Sequence, residues 1–393
     1  MMTPQNEAEL AEMVAAANGP LQVRGGGTRP VGKPVDGAVV SAAGLSGIVD
    51  YEPGALTIVV RAGTPVAEVE AALAAEGQRL AFEPMDHRAL LGTEGTPTIG
   101  GVVAANVSGP RRFSVGAARD FLLGVRFVDG AGRILKNGGR VMKNVTGYDL
   151  VKLMAGSYGT LGVLSEASFK VLPVPERTVT LELAASDEAQ AQKAMTRALT
   201  SPYEVSGAAV LPADGPRVVL RVEGFAGSVA YRAGKITELL AGLGDISRIE
   251  EQEANARLWQ AVRDVEALAG CDFVWRASAT ARDLHDAILR DIRAEADACV
   301  QLDWGGALAW VGMTAAQADT VGGAAVVHSR LQSASADRSR MPGGGHVTLI
   351  KGDADLRRAV PVFQPEPAPV GTLTRGLRAK FDPNGIFNPG LMG

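Results

Sequence analysis

Glycines alternate with short apolar runs along residues 92–120, and this stretch restricts the structures that the chain can form. Glycine lets the backbone approach a ligand closely and leaves its N–H groups free to donate hydrogen bonds. The apolar residues 102–105 predict a short helix that begins just after Gly100-Gly101, so that its first N–H groups would face an anion. We therefore expect a ligand cradle here, with phosphate as the first candidate. The alternative is a pair of glycine-rich surface turns that bind nothing.

Two further glycine clusters lie in the same half of the chain. Residues 24–28 read Arg-Gly-Gly-Gly-Thr and follow a short predicted strand at residues 21–23. Because Pro30 and Pro34 prevent a sustained helix behind these glycines, the segment is predicted to be a loop and not a Rossmann dinucleotide turn. Such a loop can still cradle a pyrophosphate through its backbone N–H groups. The third cluster, at residues 156–162, again permits close backbone approach.

Local signals predict several scaffold elements in the first part of the chain. Asn6 followed by Glu9 resembles a capping box, and apolar residues at helical spacing predict a helix that ends at Asn18-Gly19. Glu52-Pro53-Gly54 and Asp129-Gly130 each separate two predicted strands, which predicts two hairpins.

The pattern changes after Pro173-Val174-Pro175, which we interpret as a domain boundary. The order strand, helix, strand, strand, helix beyond it predicts an α+β layer with helices on one face of an antiparallel sheet. Residues 351–370 are predicted to form a loop, and a short helix is predicted near residues 372–380. The other predicted elements are strands at 178–183, 205–211, 217–223, 272–278, 299–304 and 307–313, and helices at 186–199, 228–241, 253–266 and 281–297.

Composition limits the classes of protein to which the chain can belong. Its 393 residues exceed what one hydrophobic core usually supports, which predicts two domains. A net charge of −4 without a basic stripe argues against binding of nucleic acid or acidic lipid. Cys271 and Cys299 are the only cysteines, too few for a disulfide framework or for the ligands of an iron–sulfur cluster. His87, His285 and His328 lack metal-ligand spacing, so that no metal site is expected.

Nothing in the sequence suggests a targeting or membrane segment. The first ten residues contain two glutamates and no basic region, and no stretch reaches the roughly 18 apolar residues of a membrane span. We therefore expect a cytoplasmic protein that does not itself cross a membrane.

Four segments taken together resemble the flavoprotein family named after vanillyl-alcohol oxidase and p-cresol methylhydroxylase (PCMH). They are residues 24–28, 95–120 and 143–173 and the final Asp-Pro-Asn-Gly-Ile-Phe-Asn-Pro-Gly, in order and spacing. Within that family, four motifs are similar to those of the FAD-binding subunits of bacterial glycolate oxidases (glycolate dehydrogenases). These motifs are Met-Lys-Asn-Val-Thr-Gly-Tyr-Asp-Leu at 142–150, Gly-Ser-Tyr-Gly-Thr-Leu-Gly-Val-Leu at 156–164, Asp303-Trp304-Gly305-Gly306 and Gly344-Gly345-His346.

The resemblance implies an α+β fold in three parts. A PCMH-type FAD-binding domain of two subdomains would occupy residues 1–173. An antiparallel-sheet cap domain with helices on one face would occupy residues 174–369 and cover the flavin. A C-terminal helix and tail, residues 370–393, would return to the FAD domain.

Carried over by position, the resemblance also implies which residues contact FAD. Arg24, Gly25, Gly26, Gly27 and Thr28 would hold the pyrophosphate. Thr98, Ile99, Gly100, Gly101, Asn106, Ser108 and Gly109 would line the path of the ribityl chain and flavin, with Arg119 and Asp120 at the next turn. Gly159, Gly162 and Val163 would lie against the adenine and ribose, and Asn388 near the isoalloxazine.

The chain departs from the family's pattern at three places. Members that attach the flavin covalently through the first loop place a histidine where this chain has Thr28, so that FAD is expected to be non-covalent. Related hydroxy-acid dehydrogenases usually have a glutamate where this chain has Tyr158. Those enzymes also carry a histidine-rich metal and substrate signature in the cap, of which only Gly345-His346 remains here.

The chemistry that the resemblance implies needs two side chains beside the flavin. Oxidation of a 2-hydroxy acid requires a cation for the carboxylate and a base for the hydroxyl proton. Arg276, on a predicted cap strand, is the candidate for the carboxylate, because its planar fork matches that group; an inter-domain ion pair is the alternative. His346 is the candidate base, and a hydrogen-bonded histidine at a glycine turn is the alternative.

The resemblance therefore leads us to expect the FAD-binding subunit of a glycolate oxidase complex, which oxidises glycolate or a related small 2-hydroxy acid. Its expected partners are a paralogous catalytic flavoprotein subunit and an iron–sulfur subunit, through which it could lie at the inner membrane. Two alternatives stay open: a self-contained FAD-dependent 2-hydroxy-acid dehydrogenase, and a non-catalytic structural subunit without flavin.

Overall fold

Two antiparallel sheets dominate the structure, a computed structural model that describes residues 1–141, 147–212 and 215–393. Residues 142–146 of the motif at 142–150 lie outside the described residues. The strands up to residue 173 are β1 (Leu21–Arg24), β2 (Ala38–Ser41), β3 (Ile48–Glu52), β4 (Thr57–Arg61), β5 (Gln78–Arg79), β6 (Leu122–Val128), β7 (Ile134–Gly138), β8 (Val163–Lys170) and β9 (Leu172–Pro173). Those that follow are β10 (Arg177–Ala184), β11 (Val205–Leu211), β12 (Arg217–Gly224), β13 (Ile246–Ile249), β14 (Phe273–Ser278), β15 (Cys299–Asp303), β16 (Leu308–Met313) and β17 (His346–Lys351).

The helices before residue 173 have four to ten residues, and those after it have four to fourteen. The helices before residue 173 are α1 (Glu7–Ala15), α2 (Val66–Ala75), α3 (Arg88–Leu91), α4 (Ile99–Ala104), α5 (Arg112–Val115), α6 (Ala118–Phe121) and α7 (Leu150–Met154). The later ones are α8 (Glu188–Leu199), α9 (Ala226–Leu239), α10 (Gln252–Asp264), α11 (Ala281–Leu284), α12 (Arg290–Glu295), α13 (Ala315–Thr320), α14 (Ala324–Ala336), α15 (Ala354–Ala359) and α16 (Ala368–Phe381). A π-helical turn, His285–Leu289, joins α11 to α12.

The described residues of the N-terminal region form three small sheets, of which the antiparallel pair β5-β9 is the third. β1 and β2 pair in parallel, and the first sheet is extended by a bridge from Leu21 to Phe387 of the C-terminal tail. The second is antiparallel with the order β3-β4-β8-β6-β7. Both predicted hairpins, β3–β4 and β6–β7, are confirmed. Asn6 caps α1 as predicted, since its Oδ1 atom accepts from the Glu9 N–H at 2.9 Å, but the reciprocal bond of a capping box is not formed, because the Glu9 carboxylate accepts from the Gln5 N–H.

The larger sheet has eight strands in the order β13-β10-β12-β11-β15-β16-β14-β17, and all of its pairings are antiparallel. The strands and helices predicted between residues 178 and 313 are confirmed. The prediction of a loop throughout 351–370 was wrong, because Asp353 caps α15 and α16 begins at Ala368. The sequence analysis also missed β13, α13, α14 and β17.

Alternate residues along β10 show that the two faces of this sheet differ. Leu181 packs in the same core as residues of α8 and α9, whereas Thr180 accepts from the Trp259 indole N–H of α10 at 2.8 Å. Successive side chains of a strand point to opposite faces. Helix α10 therefore lies on the face opposite to α8 and α9, beside the surface that meets the N-terminal region.

A buried ion network joins the two regions. Arg221 of β12, 3% exposed, donates two hydrogen bonds to the carboxylate of Glu83, at 2.8 and 3.0 Å. Glu223 of the same strand contacts Arg221, Arg79 and Arg111. Although burial alone would raise it, Arg221, Arg111 and Arg79 hold the pKa of Glu223 down to about 2. The network is charged, and its members come from both regions.

These pairings support a division of the chain that we propose at 173/174 and 369/370. β9 pairs with β5 of the N-terminal region, whereas β10 belongs to the eight-stranded sheet. Helix α16 begins two residues before the second boundary and leads into the tail, whose Asn388 N–H donates to the Leu21 carbonyl at 3.0 Å. We refer below to the FAD domain, the cap and the tail in this sense.

Replacing Arg221 by Met should lower the free energy of unfolding strongly, because the substitution removes the cation of the half-buried Glu83 and one of the three arginines of the buried Glu223. Breaking such a buried pair typically costs about 3–5 kcal/mol. Arg217→Met is the matched control on the same strand, since its pair with Glu182 is longer, at 3.6 Å, and more exposed, and such a pair contributes about 1 kcal/mol or less. Denaturant unfolding of the two variants would check this, and equal losses of stability would contradict it.

Candidate active site

A cavity of about 480 Å³ lies between the loop that follows β1, helix α4, residues 157–164 and the tail. Helix α15 of the cap closes one side, where Arg357 donates to the backbone carbonyls of Pro30 and Gly32 at 2.5 and 3.3 Å. Most of the predicted cofactor residues line this cavity: Arg24, Gly25, Gly26, Gly27, Thr28, Thr98, Gly100, Gly101, Gly159, Gly162, Val163 and Asn388. The three glycine clusters therefore meet at one place.

The cavity is strongly cationic. Among its described lining residues are four cations, Arg24, Arg29, Lys33 and Arg357, and no carboxylate. The whole chain carries a net charge of −4, so this concentration of positive charge is local. A site lined in this way favours an anionic ligand.

The loop that follows β1 has the backbone of an anion cradle. The N–H groups of Gly25, Gly26 and Gly27 find no acceptor among the residues that the structure describes. Gly27 has a φ of +76°, and a Cβ placed there would meet no protein atom within 4 Å. The buried Ser157 Oγ on the cavity wall likewise has no hydrogen-bond partner in the described part of the chain. Free donors that face a space of this kind fit a phosphate group.

Other glycines of the cavity are required by the protein's own packing. A Cβ on Gly26 would lie 1.6 Å from the Thr96 carbonyl oxygen, and one on Gly100 would lie 2.8 Å from that of Ala62. The prediction that α4 begins after Gly100-Gly101 was wrong, because Thr98 caps the helix and accepts from the Gly101 N–H. The glycines thus form the first turn of α4, close against the neighbouring backbone.

The remaining predicted cofactor residues do not line the cavity. Ile99 is fully buried in the core. The others hold one another in the turn between α4 and α6: the Asn106 side chain accepts from the Arg119 N–H at 3.0 Å, and the Ser108 side chain from the Ala118 N–H at 2.9 Å. Asp120 accepts from the Ala117 N–H, and Gly109 contacts Glu83 and the cap.

Asn388 of the tail joins β1 to the segment 157–164 in the cavity wall. Its Oδ1 atom accepts from the Val23 N–H, and its Nδ2 donates to the Tyr158 carbonyl, both at 2.8 Å. Tyr158 has a φ of +51°, and its ring stands edge-on to Phe363 of the cap with 4.9 Å between centroids. Tyr158 therefore lines the cavity and also contacts the cap.

Arg29 is a cavity residue that the sequence analysis missed. Its Nε donates to His87 Nδ1 at 3.2 Å and its Nη1 to the Gly101 carbonyl at 2.9 Å. It forms no ion pair with a carboxylate of the described residues, and burial lowers its pKa to about 10. Burial and the charge of Arg29 also lower the pKa of His87, so the imidazole is neutral. A sequence signal existed, since Arg29 directly follows the glycine loop.

A second cluster lies where β14 of the cap faces the FAD domain. The Arg276 guanidinium stacks 5.1 Å from the Trp304 ring and 5.9 Å from the Trp310 ring. Trp304 is also contacted by Arg112 and donates its indole N–H to the Gly109 carbonyl at 3.0 Å. Burial, and then Arg112, lower the pKa of Arg276 to about 10, and it pairs with no carboxylate of the described residues. The predicted ion pair, the alternative to a substrate role, is not found among them.

Asp303 belongs to this cluster, although the sequence analysis gave it no role. It is 3% exposed, and its Oδ1 atom accepts from the Trp304 N–H at 2.7 Å. Its Oδ2 atom bonds to none of the described residues. Burial, and then Glu83, raise the pKa of Asp303 to about 8, against the opposing effect of Arg221 and Arg276. Perturbed groups of this kind concentrate at functional sites.

His346, the predicted base, lies at the edge of the cluster. It opens β17 opposite Ser278, so it shares a sheet face with Arg276, which lies opposite Thr348. Its side chain is exposed and forms no hydrogen bond with the described residues. The structure thus places Arg276 and Asp303 on one face of the sheet, two strands apart, and leaves the exposed His346 on the neighbouring edge strand β17.

Comparison with known proteins identifies the family. Residues 1–138 match the family described as FAD binding domain. The glycolate oxidase subunit GlcE of Escherichia coli (strain K12) is 36% identical over 382 residues, which cover 95% of this chain and 92% of that protein. The chain belongs to the family of FAD-binding glycolate oxidase subunits. It is accordingly a flavoprotein oxidoreductase of the 2-hydroxy-acid type, and its cofactor is FAD.

More distant relatives match parts of the chain. The glycolate oxidase subunit GlcD of Bacillus subtilis (strain 168) is 32% identical over 187 residues, 46% of this chain and 38% of that protein. The solved structure of an alkyldihydroxyacetonephosphate synthase covers 98% of this chain with a TM-score of 0.69 and 16% identity, and the match covers 76% of that chain. At this identity the likeness concerns the fold alone, and it confirms the predicted α+β class. None of the described helices has the length and apolar character needed to cross a membrane.

Replacing Asp303 by Asn should make stability less dependent on pH. An unfolded aspartate loses its proton near pH 3.9, whereas Asp303 in the folded chain keeps it up to about 8. The folded wild type therefore loses stability relative to the variant as pH rises between these values, by up to about 1.4 kcal/mol per pH unit. Unfolding by urea at several pH values would check this. Parallel stability curves for the two proteins would contradict it.

Proposed function

We propose that the chain is the FAD-binding subunit of a glycolate oxidase complex, in which it oxidises glycolate to glyoxylate and passes the electrons to partner subunits. The observation that carries the proposal is the cavity, in which four cations and the free N–H groups of Gly25, Gly26 and Gly27 face one space without a carboxylate among its described lining residues. Its family relatives GlcE and GlcD are named as subunits of glycolate oxidase, which supports the choice of substrate and of complex.

In this proposal FAD is held without a covalent bond. Gly25 to Thr28 and the cavity cations bind the pyrophosphate, and the loop offers Thr28 where a covalent link would need a nucleophilic side chain such as histidine. Ser157 and Asn388 line the same space and offer polar atoms to the rest of the cofactor. The predicted residues of the turn between α4 and α6 would act by positioning α4, since they bind one another. When bound, FAD supplies the acceptor for the electrons of the substrate.

The substrate side of the proposal rests on Arg276. A guanidinium that stacks on two indoles and has no carboxylate partner among the described residues is available to a carboxylate ligand. His346 remains a candidate base, because it lies on the same sheet face as Arg276. This role requires that the exposed edge strand β17 forms part of the site.

The proposed partners are a paralogous catalytic flavoprotein subunit and an iron–sulfur subunit. The names of the relatives support a complex of several subunits. Any iron–sulfur cluster would belong to a partner, because Cys271 and Cys299 are the only cysteines of this chain and both are free. We place the complex in the cytoplasm, with contact to the inner membrane through the partners.

A second candidate function is a self-contained FAD-dependent 2-hydroxy-acid dehydrogenase. The observation in its favour is that Arg276 and Asp303 lie together at the interface of this one chain. It differs from the first function in needing no partner for the oxidation step.

The visible absorption spectrum of the purified chain, before and after anaerobic addition of glycolate, tests the proposal. Flavin bands that bleach would support oxidation by this chain. Bands that persist would assign the oxidation to the partner flavoprotein. A protein that stays colourless after FAD is added would contradict the proposal and favour a structural subunit without flavin.

The Gly27→Ala variant should bind FAD at least about tenfold more weakly, a loss of about 1.4 kcal/mol. The added Cβ would occupy the open space that Gly27 faces at a φ of +76°. Gly77→Ala is the matched control, because Gly77 also has a positive φ, +63°, with nothing near its Cβ, but lies outside the cavity. Both variants carry similar backbone strain of about 1–2 kcal/mol.

FAD affinity is measured by titrating the apoprotein and following flavin fluorescence. A loss of affinity in both variants would trace the effect to strain, and equal affinity in the Gly27→Ala variant and the wild type would show that this loop does not contact FAD.

A further inference from the structure

Two ionisable side chains at the domain interface, Arg276 and Asp303, lie in the same cluster without pairing. Each alters the pKa of the other, but no nitrogen of Arg276 comes within 4.0 Å of a carboxylate oxygen of the described residues. The Asp303 Oδ1 atom accepts a hydrogen bond from the Trp304 N–H, and its Oδ2 atom bonds to none of the described residues. The half-buried Arg276 guanidinium and the free oxygen of the buried Asp303 carboxyl are therefore both available to a ligand.

We infer that Arg276 and Asp303 are the two ends of a binding site for a small 2-hydroxy carboxylate, in which Arg276 holds the carboxylate and Asp303 accepts the hydroxyl proton. The inference rests on the proposed function and deepens it, because it assigns a substrate site to this chain and names the base. It replaces His346 in that role.

Strand register supports a site of this size. Asp303 lies opposite Leu308, and Leu308 lies opposite Ser278, so the three share one face of the sheet. Arg276 lies two residues from Ser278 on that face. Asp303 and β14 are thus two strand spacings apart, roughly 10 Å between backbones. Leu308 and Trp310 of β16 lie between them on the same face, so a ligand that contacts both Arg276 and Asp303 would lie over these two side chains.

The FAD domain covers this part of the sheet. Trp304, which follows Asp303, donates to the Gly109 carbonyl at the end of the turn after α4. Arg276 affects the pKa of Tyr158, which lines the FAD cavity. The interface therefore joins the proposed substrate site to the cavity, as oxidation of a bound substrate on a flavin requires.

The charged groups around Asp303 come from both domains and set its proton affinity. Glu83 of the FAD domain raises its pKa, and Arg221 of β12 and Arg276 of β14 lower it, while burial has the largest effect. Arg112 of α5 also lies over the Trp304 ring, and after burial its positive charge lowers the pKa of Arg276 most. A neutral Asp303 admits the anionic substrate, and only the ionised form accepts a proton, so oxidation should speed up as pH rises through about 8.

The step balances with the oxidised flavin as the named co-reactant. The hydroxyl O–H bond breaks and its proton moves to the free Asp303 oxygen. The α-carbon loses a hydride with its electron pair to the flavin, and a C=O bond forms. The substrate is oxidised by two electrons, and Asp303 returns its proton to solvent.

The test uses the full chain loaded with FAD and mixed anaerobically with glycolate. For the wild type at saturating glycolate we expect the rate of flavin bleaching to rise with pH with a midpoint at or above about 8, because the bound anion favours the neutral form of Asp303. Asp303→Asn keeps an oxygen to accept from the Trp304 N–H, so the turn survives, but it should slow bleaching by about 10²–10⁴-fold and remove the pH dependence. Asp297→Asn, at an exposed aspartate of the cap outside this cluster, is the control and should match the wild type.

A second readout does not depend on turnover. Oxalate has the carboxylate of the substrate and cannot be oxidised by hydride loss, so its binding can be followed through the perturbed flavin spectrum. Its affinity for the wild type should fall as pH rises through about 8, because ionised Asp303 repels it. The affinity of the Asp303→Asn variant should not change with pH, and Arg276→Met should bind oxalate at least about tenfold more weakly.

Three results would overturn the inference. An Asp303→Asn variant with the wild-type rate and pH profile would exclude Asp303 as the base. A wild type that holds FAD but is neither bleached by glycolate nor perturbed by oxalate would show that this chain has no substrate site, while FAD binding stands. A chain that binds no FAD would instead refute the proposed function on which the inference rests.

Discussion

The buried contacts of Arg221 with Glu83 and Glu223 are the interaction on which the rest of the interface depends. They cross from the eight-stranded sheet to the FAD domain, and Arg79 and Arg111 complete them. The geometry of such a network is tightly restricted, because each buried charge has lost its hydration and must contact an opposite charge instead. It therefore fixes which face of the cap meets the FAD domain, and that face carries Asp303 and Arg276.

The same network explains the state of Asp303. Burial is the main cause that raises the pKa of Asp303, and Glu83 adds to it, while Arg221, which opposes the rise, is shared with the carboxylates of Glu83 and Glu223. Arg276 is left in the opposite condition, as a cation stacked on indoles. Asp303 and Arg276 thus both lack an ion-pair partner among the described residues of this interface, because the strong ion pairs are formed by Arg221, Glu83 and Glu223.

Sequence patterns predicted the structural features that depend on residues close together along the chain. The helix N-cap at Asn6, both hairpins and most cap strands follow from local spacing, and they are confirmed. The glycine clusters also pointed to the cavity. Arg29 and Asp303 were missed because their states depend on His87 and Glu83, which are remote in sequence. Helix α14 was missed because its small residues give little apolar periodicity.

Tyr158 connects the two halves of the site within one chain. Asn388 holds its backbone, its ring lines the cavity and contacts Phe363 of the cap, and both Arg29 and Arg276 act on its pKa. Cations of the cavity and of the interface are therefore neighbours across a single residue. A subunit that only relayed electrons would need the FAD cavity alone. It would gain no function from an Arg276 and an Asp303 that lack ion-pair partners among the described residues. The connection of these two residues to the cavity through Tyr158 favours a chain that both binds FAD and oxidises a substrate.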